Sequence, residues 1–256
     1  MDDLDIDLWR AITKLYVSDP LTHCYLMYDL IYEYGNIDAV FSVDYNGIVS
    51  YILIWNGYRV QGVHLWGYDI DLLNMVDIAR DKPVYIHLYT DDYSFSRKII
   101  DIVNQNAKIL EFYDMVVDEK SFIQYNNPIV HRLSLDDIEA FIAIKRIQGR
   151  EIGYEEAQRI LLRGRYYGVY IDRMIVAIAG RYIALPEVWV IGDVYVHPDY
   201  RGRGYGKAVT SAITRDAVAS GAIAMLHVDT ENIPAINLYK GLGYRVYRKR
   251  IWIYIA

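Results

Sequence analysis

Apolar residues along this chain recur at two spacings, one suited to helices and one to strands, with turn-forming residues between them. Residues 4–17 and 21–34 carry the helical spacing and predict two amphipathic helices. β-Branched and aromatic residues dominate 39–45 and 48–55, and Asn46-Gly47 between them is a strong hairpin signal. Strand character returns at 84–89 and 109–117, with helical spacing at 93–104. Gln124-Tyr125-Asn126-Asn127-Pro128 then interrupts the apolar pattern. This break predicts an N-terminal α/β domain over residues 1–125 and a second domain over residues 126–256.

The second half opens with a strand at 129–133. Ser134-Leu135-Asp136-Asp137 follows as a helix cap with acidic residues in the first turn, heading a helix to about residue 147. A second helix is predicted at 154–162, then strands at 166–171 and 174–183 around a tight turn at Asp172-Arg173. A strand at 189–196, a helix to residue 219, a strand at 222–228 and a helix beginning near Ile233 come next. The pattern closes with strands at 243–247 and 251–255, which flank Arg248-Lys249-Arg250, most simply a solvated turn.

The chemistry concentrates at Arg201-Gly202-Arg203-Gly204-Tyr205-Gly206-Lys207, between a strand and a helix. Glycines let the backbone approach a ligand closely, and a helix starting near Gly204 aims unpaired amides at an anion. The loop therefore predicts a phosphate site, with Arg201, Arg203 and Lys207 adding full charges. Two common motifs are excluded by spacing. GxxxxGK[ST] would need Gly at Arg201 and Ser or Thr at Ala208, while GxGxxG meets Lys207 or Val209 at its third glycine.

Arg201-x-x-Gly204-x-Gly206 does fit another pattern, and its surroundings extend the fit. Val194-Tyr195-Val196-His197-Pro198-Asp199-Tyr200 precedes it, and Asn232-x-x-Ala235-x-x-x-Tyr239-x-x-x-Gly243-Tyr244 follows after a helix and a strand. From about Ile129 onward the chain resembles the GNAT superfamily, N-acyltransferases that use acyl-coenzyme A. That resemblance implies an α/β (α+β) fold, a mixed, centrally splayed β-sheet flanked by helices. The N-terminal half would be a second α/β domain. The mirrored hairpins suggest a degenerate GNAT-like repeat without a cofactor site, an unrelated α/β cap being the alternative.

The resemblance further implies acetyl-CoA as cosubstrate, its diphosphate on the amides of residues 203–207 with Arg201, Gly202 and Arg203 beside them. Val194, Tyr195 and Val196 would offer backbone groups to the pantetheine arm, although ordinary core strand fits their apolar character equally well. Asn232 would bond that arm or cap its helix. Tyr239 matches the position of a general acid for the departing thiolate, with a packing role as the alternative. A phenol near pKa 10 keeps the proton such a role needs. Many relatives carry a Glu where Val190 stands, so the general base is unassigned by motif. Asp193 is the first candidate among Glu187, His197, His227 and Asp229. His197 and His227 have the simpler explanation of structural histidines.

Charge and composition narrow the remaining classes. A net charge of −6 argues against a nucleic-acid binder, which needs a basic surface. No apolar run approaches the about 20 residues that span a bilayer, and the acidic opening is unlike a secretory leader. A cytoplasmic protein is expected. The single cysteine, Cys24, excludes an internal disulfide and reads as a small buried hydrophobe. Neither an HxxxH nor a CxxC pair is present, so no metal is expected. The function that emerges is direct acetyl transfer to a primary amine, on a small molecule, a peptide or protein N-terminus, or a lysine. A homodimer is compatible with it. The rival is a non-catalytic acyl-CoA-binding regulatory or interaction module, which the missing strand Glu allows.

Overall fold

The structure is a computed structural model that describes residues 5–103 and 106–256. Leu4 and Asn104, expected at two helix ends, lie outside the described residues. Contacts divide the chain into two compact units, one reaching Asp114 and including Arg248–Ala256, the other spanning Met115–Tyr247.

In the first unit, Asp5 caps helix α1, Ile6–Ser18, by accepting from the Leu8 amide at 2.7 Å. Asp19 accepts from Thr22 and starts α2, Pro20–Tyr32, whose first residue needs no amide partner. Strands β1 (Ile37–Asp44), β2 (Gly47–Asn56) and β3 (Gln61–Trp66) pair antiparallel in succession. A short 3-10 segment, Ile70–Met75, leads to β4 (Val84–Leu88), which lies parallel to β3. Helix α3 (Tyr93–Val103) and strand β5 (Ala107–Val117) follow. β3 has no counterpart in the sequence expectations. Four of its six residues are buried, so its side chains do not alternate between apolar and polar.

The chain's last strand also differs from expectation. Arg245–Ile255 is one continuous strand, β11 by chain order, rather than two strands around a solvated turn. Arg250 is 1% exposed and Asp114 is fully buried. Arg248 and Arg250 both hold the Asp114 carboxylate, at 2.7 and 2.9 Å, which stabilises an extended path where a turn would leave that acid unpaired. Beyond them Ile251, Ile253 and Ile255 enter the same core as Ile52, Ile54, Val63, Leu65, Ile86 and Leu88. The order of neighbouring strands here is β1-β2-β3-β4-β11-β5.

Asp29 on α2 gives this unit a pH dependence. It is 6% exposed, and burial, aided by the charge of Glu33, raises its carboxyl from 3.8 to about 8. The unfolded carboxyl loses its proton near 4, while the folded one keeps it. Its contribution to stability is therefore full below the unfolded pKa and is lost as pH rises through the folded one. Asp29→Asn is expected to match the parent near pH 4 and to exceed it near pH 8.5 by on the order of a few kcal/mol. Denaturant midpoints at the two pH values check this, and parallel profiles would contradict it.

In the second unit, strand β6 (Val130–Arg132) runs into a capping box in which Ser134 and Asp137 satisfy each other's backbone amides. Helices α4 (Ile138–Ile147) and α5 (Tyr154–Arg163) follow. Strands β7 (Tyr166–Ile171) and β8 (Met174–Ala184) turn at Asp172 and Arg173, both left-handed with φ of 47° and 66°. β9 (Val188–Val196), α6 (Tyr205–Ala219), β10 (Ile223–Asp229) and α7 (Ile233–Lys240) complete the unit. Met115–Val117 of β5 also belong to it, and its strands neighbour each other in the order β5-β10-β9-β8-β7-β6.

Element order recurs between the units. Two helices, three antiparallel strands and a parallel fourth appear as α1-α2-β1-β2-β3-β4 and again as α4-α5-β7-β8-β9-β10. A helix and a strand close each series, α3-β5 and α7-β11. The difference lies before the parallel strand, where the second unit has the 15-residue α6 and the first has only a six-residue 3-10 segment.

Candidate active site

Parallel strands β9 and β10 stay paired only from Val188↔Ile223 to Ile191↔Leu226. β9 continues to Val196 and β10 to Asp229, so the paired segment ends where two strand ends are left without mutual bonds. Such ends offer backbone donors and acceptors to an extended ligand. Asp193, two residues past the last pair, has φ of 53°, and the β8–β9 register shifts around it. This local break redirects the strand. By contrast, β3 and β4 in the first unit pair from Gln61↔Val84 through Leu65↔Leu88, almost to both ends.

The arginine-glycine loop begins where β9 stops. A 3-10 turn at Pro198–Tyr200, capped by the His197 imidazole accepting from Asp199, leads into it. Gly202 and Gly204 take φ of 74° and 81°, positions that side chains rarely adopt. Gly204 caps α6 without a side-chain bond, and the first helical bond there runs from the Ala208 amide to the Gly204 carbonyl. The amides of Tyr205, Gly206 and Lys207 therefore have no helical acceptor. A Cβ on Gly206 would lie 3.2 Å from both Val196 of β9 and Leu238 of α7, so this glycine lets three elements converge.

Cations surround that helix end. Arg201 Nε donates to the Val196 carbonyl at 3.3 Å, and Arg203 donates to the Asp199 carbonyl with its guanidinium over the Tyr200 ring. Lys207 Nζ lies 5.2 Å from the ring centre of Tyr125. Open amides, a helix N-terminus and three cations suit a diphosphate. The strand end beside them suits the arm of coenzyme A.

Asn232 caps α7 by accepting from the Ala235 amide at 3.2 Å. Tyr239, further along α7, is 7% exposed. Burial, with a smaller contribution from nearby Tyr182, raises its phenol to about 12. The hydroxyl is therefore protonated throughout the neutral range. Tyr195, which pairs with Ile178 of β8 but lies beyond the last β10 pair, donates its own hydroxyl to the Ile147 carbonyl.

Asp193 stands in a different setting from that of a solvent-facing base. Its carboxylate accepts from Lys145 at 2.6 Å, Gln148 at 2.9 Å and Tyr166 at 3.0 Å, with Arg150 at 3.4 Å. The Lys145 and Asp193 side chains are 3% and 1% exposed. Burial pulls the Lys145 ammonium below its ordinary pKa, and the Asp193 charge opposes that fall. Both carboxylate oxygens are thus engaged by donors from the surrounding elements. The geometry instead makes it an anchor joining α4, β7 and β9.

Two neighbours were not marked by any sequence motif. Tyr182 of β8 lies over Gly192, where an added Cβ would come within 2.0 Å of its ring. Arg150, between α4 and α5, brings its Nη1 to 3.4 Å from the carboxylate of Asp193, the residue next to Gly192. A glycine inside a strand marks close approach of another group, and Gly192 was the one signal that could have located Tyr182. Among the described residues, no group of three or more His, Cys, Asp or Glu is placed to hold a metal ion, and no helix is long and apolar enough to cross a membrane.

Comparison with known proteins agrees with this architecture. Residues 166–253 match the family described as FR47-like protein. A mycothiol acetyltransferase of Streptomyces scabiei is 42% identical over 64 residues, 25% of this chain and 20% of that protein. The chain thus spans about a fifth of the length of the curated relatives it matches. A GCN5-related N-acetyltransferase-like protein from Streptococcus suis superposes with a TM-score of 0.65 at 17% identity, covering 97% of this chain and 98% of its own. A GCN5-related N-acetyltransferase from Kribbella flavida gives 0.64 at 16%, covering 92% and 94%. At such identities these two structures speak to the fold. Together with the family match over residues 166–253, they support a GNAT-type acetyltransferase fold in the C-terminal region of this chain.

Proposed function

We propose that this protein transfers an acetyl group from acetyl-CoA directly to a primary amine. The observation that carries the proposal is the meeting of the Gly202–Lys207 cradle with the end of β9 that has parted from β10. Acetyl-CoA supplies an activated acyl carbon, to which the amine nitrogen bonds as the carbon–sulfur bond breaks. The cradle holds the diphosphate, and Val194, Tyr195 and Val196 align the arm through backbone groups. A backbone amide of β9 stabilises the oxyanion. Tyr239 gives its proton to the departing sulfur. The proton shed by the amine leaves through water, and the phenol recovers its own from the same solvent.

The N-terminal unit is, in this proposal, a degenerate copy of the same fold without a cofactor site. Recurrence of element order supports the kinship. Continuous β3–β4 pairing and the missing helix before β4 support the loss of a site.

Incubation of the protein with acetyl-CoA and a panel of amines, followed by thiol release, tests the activity. Transfer to at least one amine is expected. CoA binding without transfer to any of them would favour a non-catalytic module. Tyr239→Phe should lower kcat by about 10- to 100-fold while CoA affinity changes by less than about threefold. Unchanged kcat would remove the acid role from Tyr239.

A further inference from the structure

Resting on the acetyltransferase reading, we infer that the acceptor carries a carboxylate close to its reactive amine and that Arg150 reads that carboxylate. The Arg150 amide donates to the Lys145 carbonyl at 2.8 Å, which fixes the backbone just beyond α4. Its Nη1 lies 3.4 Å from Asp193, the second residue beyond the last β9–β10 pair, and next to Asp193 the ring of Tyr182 covers Gly192. This places the guanidinium beside the divergence where an amine must meet the acyl carbon.

The charges around Arg150 leave it available. Asp193 is matched by Lys145 at 2.6 Å and by two further donors within 3.0 Å, whereas Arg150 approaches it only to 3.4 Å. Glu156 adds a negative charge that acts on Lys145. The Arg150 side chain is 55% exposed, so Asp193 does not consume it. A guanidinium has five donors in a planar fork, and Asp193 engages it only at Nη1. The rest suits a carboxylate, bound in two-pronged fashion. A second ammonium on the acceptor would meet this cation with repulsion. The overall negative charge of the protein favours cations at long range, so the preference for a carboxylate rests on the exposed guanidinium at short range.

The test uses the full chain and matched acceptors, a panel of α-amino acids with chemically diverse side chains, each beside its decarboxylated amine. Carboxylate-bearing members are expected to be favoured by about 10- to 100-fold in kcat/KM. Arg150→Gln should lower kcat/KM at least tenfold more on the amino acids than on their decarboxylated partners, mainly through KM. Arg150→Lys should recover part of the preference, since charge returns without the fork. Equal use of both members of each pair, or equal losses on both in Arg150→Gln, would overturn the inference. Calorimetric titration of the same pairs into CoA-saturated protein gives a readout independent of turnover. Tighter amino-acid binding that Arg150→Gln abolishes supports the assignment even if no amine is acetylated, a result that would sink only the catalytic reading. Indifference to the carboxylate there would sink this inference and leave acetyl transfer standing.

Discussion

Removal of Arg248–Ala256 is expected to unfold the N-terminal unit, although these residues come from the other end of the chain. They form the strand beside β4, pairing Trp252 with His87, Ile253 with Ile86, Tyr254 with Tyr85 and Ile255 with Val84. Ile251, Ile253 and Ile255 are at most 1% exposed in that unit's core. Loss of each such side chain costs about 2–5 kcal/mol. Deletion also leaves Asp114 buried without either arginine, a penalty of about 3–5 kcal/mol when one side of a buried pair is lost. The sum, about 9–20 kcal/mol, is as large as the total stability of about 5–15 kcal/mol typical of a domain. Hydrogen exchange on the chain ending at Tyr247 should show protection lost throughout residues 5–103. Native protection of β2, β3 and β4 in that truncated chain would refute the assignment of β11 to the first unit's core. Ile253→Ala should show a fraction of the same effect, about 2–5 kcal/mol, without abolishing folding.

Gly204→Val is expected to weaken CoA binding by about 100-fold or more. Gly204 caps α6 with φ of 81°, and a Cβ added there would lie 3.2 Å from the Tyr125 hydroxyl. A β-branched residue there both obstructs the phosphate and shifts the amides that receive it. Left-handed backbone at a non-glycine residue costs about 1–3 kcal/mol, so the variant should remain folded. Thermal denaturation separates lost folding from lost binding. Lys207→Gln, which removes one charge without touching the backbone, should weaken binding by about threefold to tenfold. A folded Gly204→Val protein with parental affinity would remove the loop from the binding site.

Features built from neighbouring residues were legible in the sequence. The Ser134 cap, the Asp172-Arg173 turn and the cradle at α6 each depend on residues a few positions apart, and each stands where the pattern placed it. Features built from distant residues were not. Arg248 and Arg250 looked like a solvated turn because their partner, Asp114, lies over 130 positions away in sequence. β3 was invisible because burial on both faces erases the alternation that marks a strand. Around the proposed site, motif spacing nominated the cradle residues, Asn232 and Tyr239. It could not foresee that Lys145 and Gln148 at the end of α4, and Tyr166 of β7, would converge on Asp193. Arg150 and Tyr182 were hidden for the same reason, since their positions beside Asp193 and Gly192 depend on how α4, β8 and β9 pack.

Titration of CoA into the full chain by calorimetry tests the central claim most directly, because that claim assigns a cradle to the second unit and none to the first. One CoA per chain, with the heat lost in Gly204→Val, is the predicted result. Two equivalent sites, or no heat of binding in the folded parent protein, would contradict it.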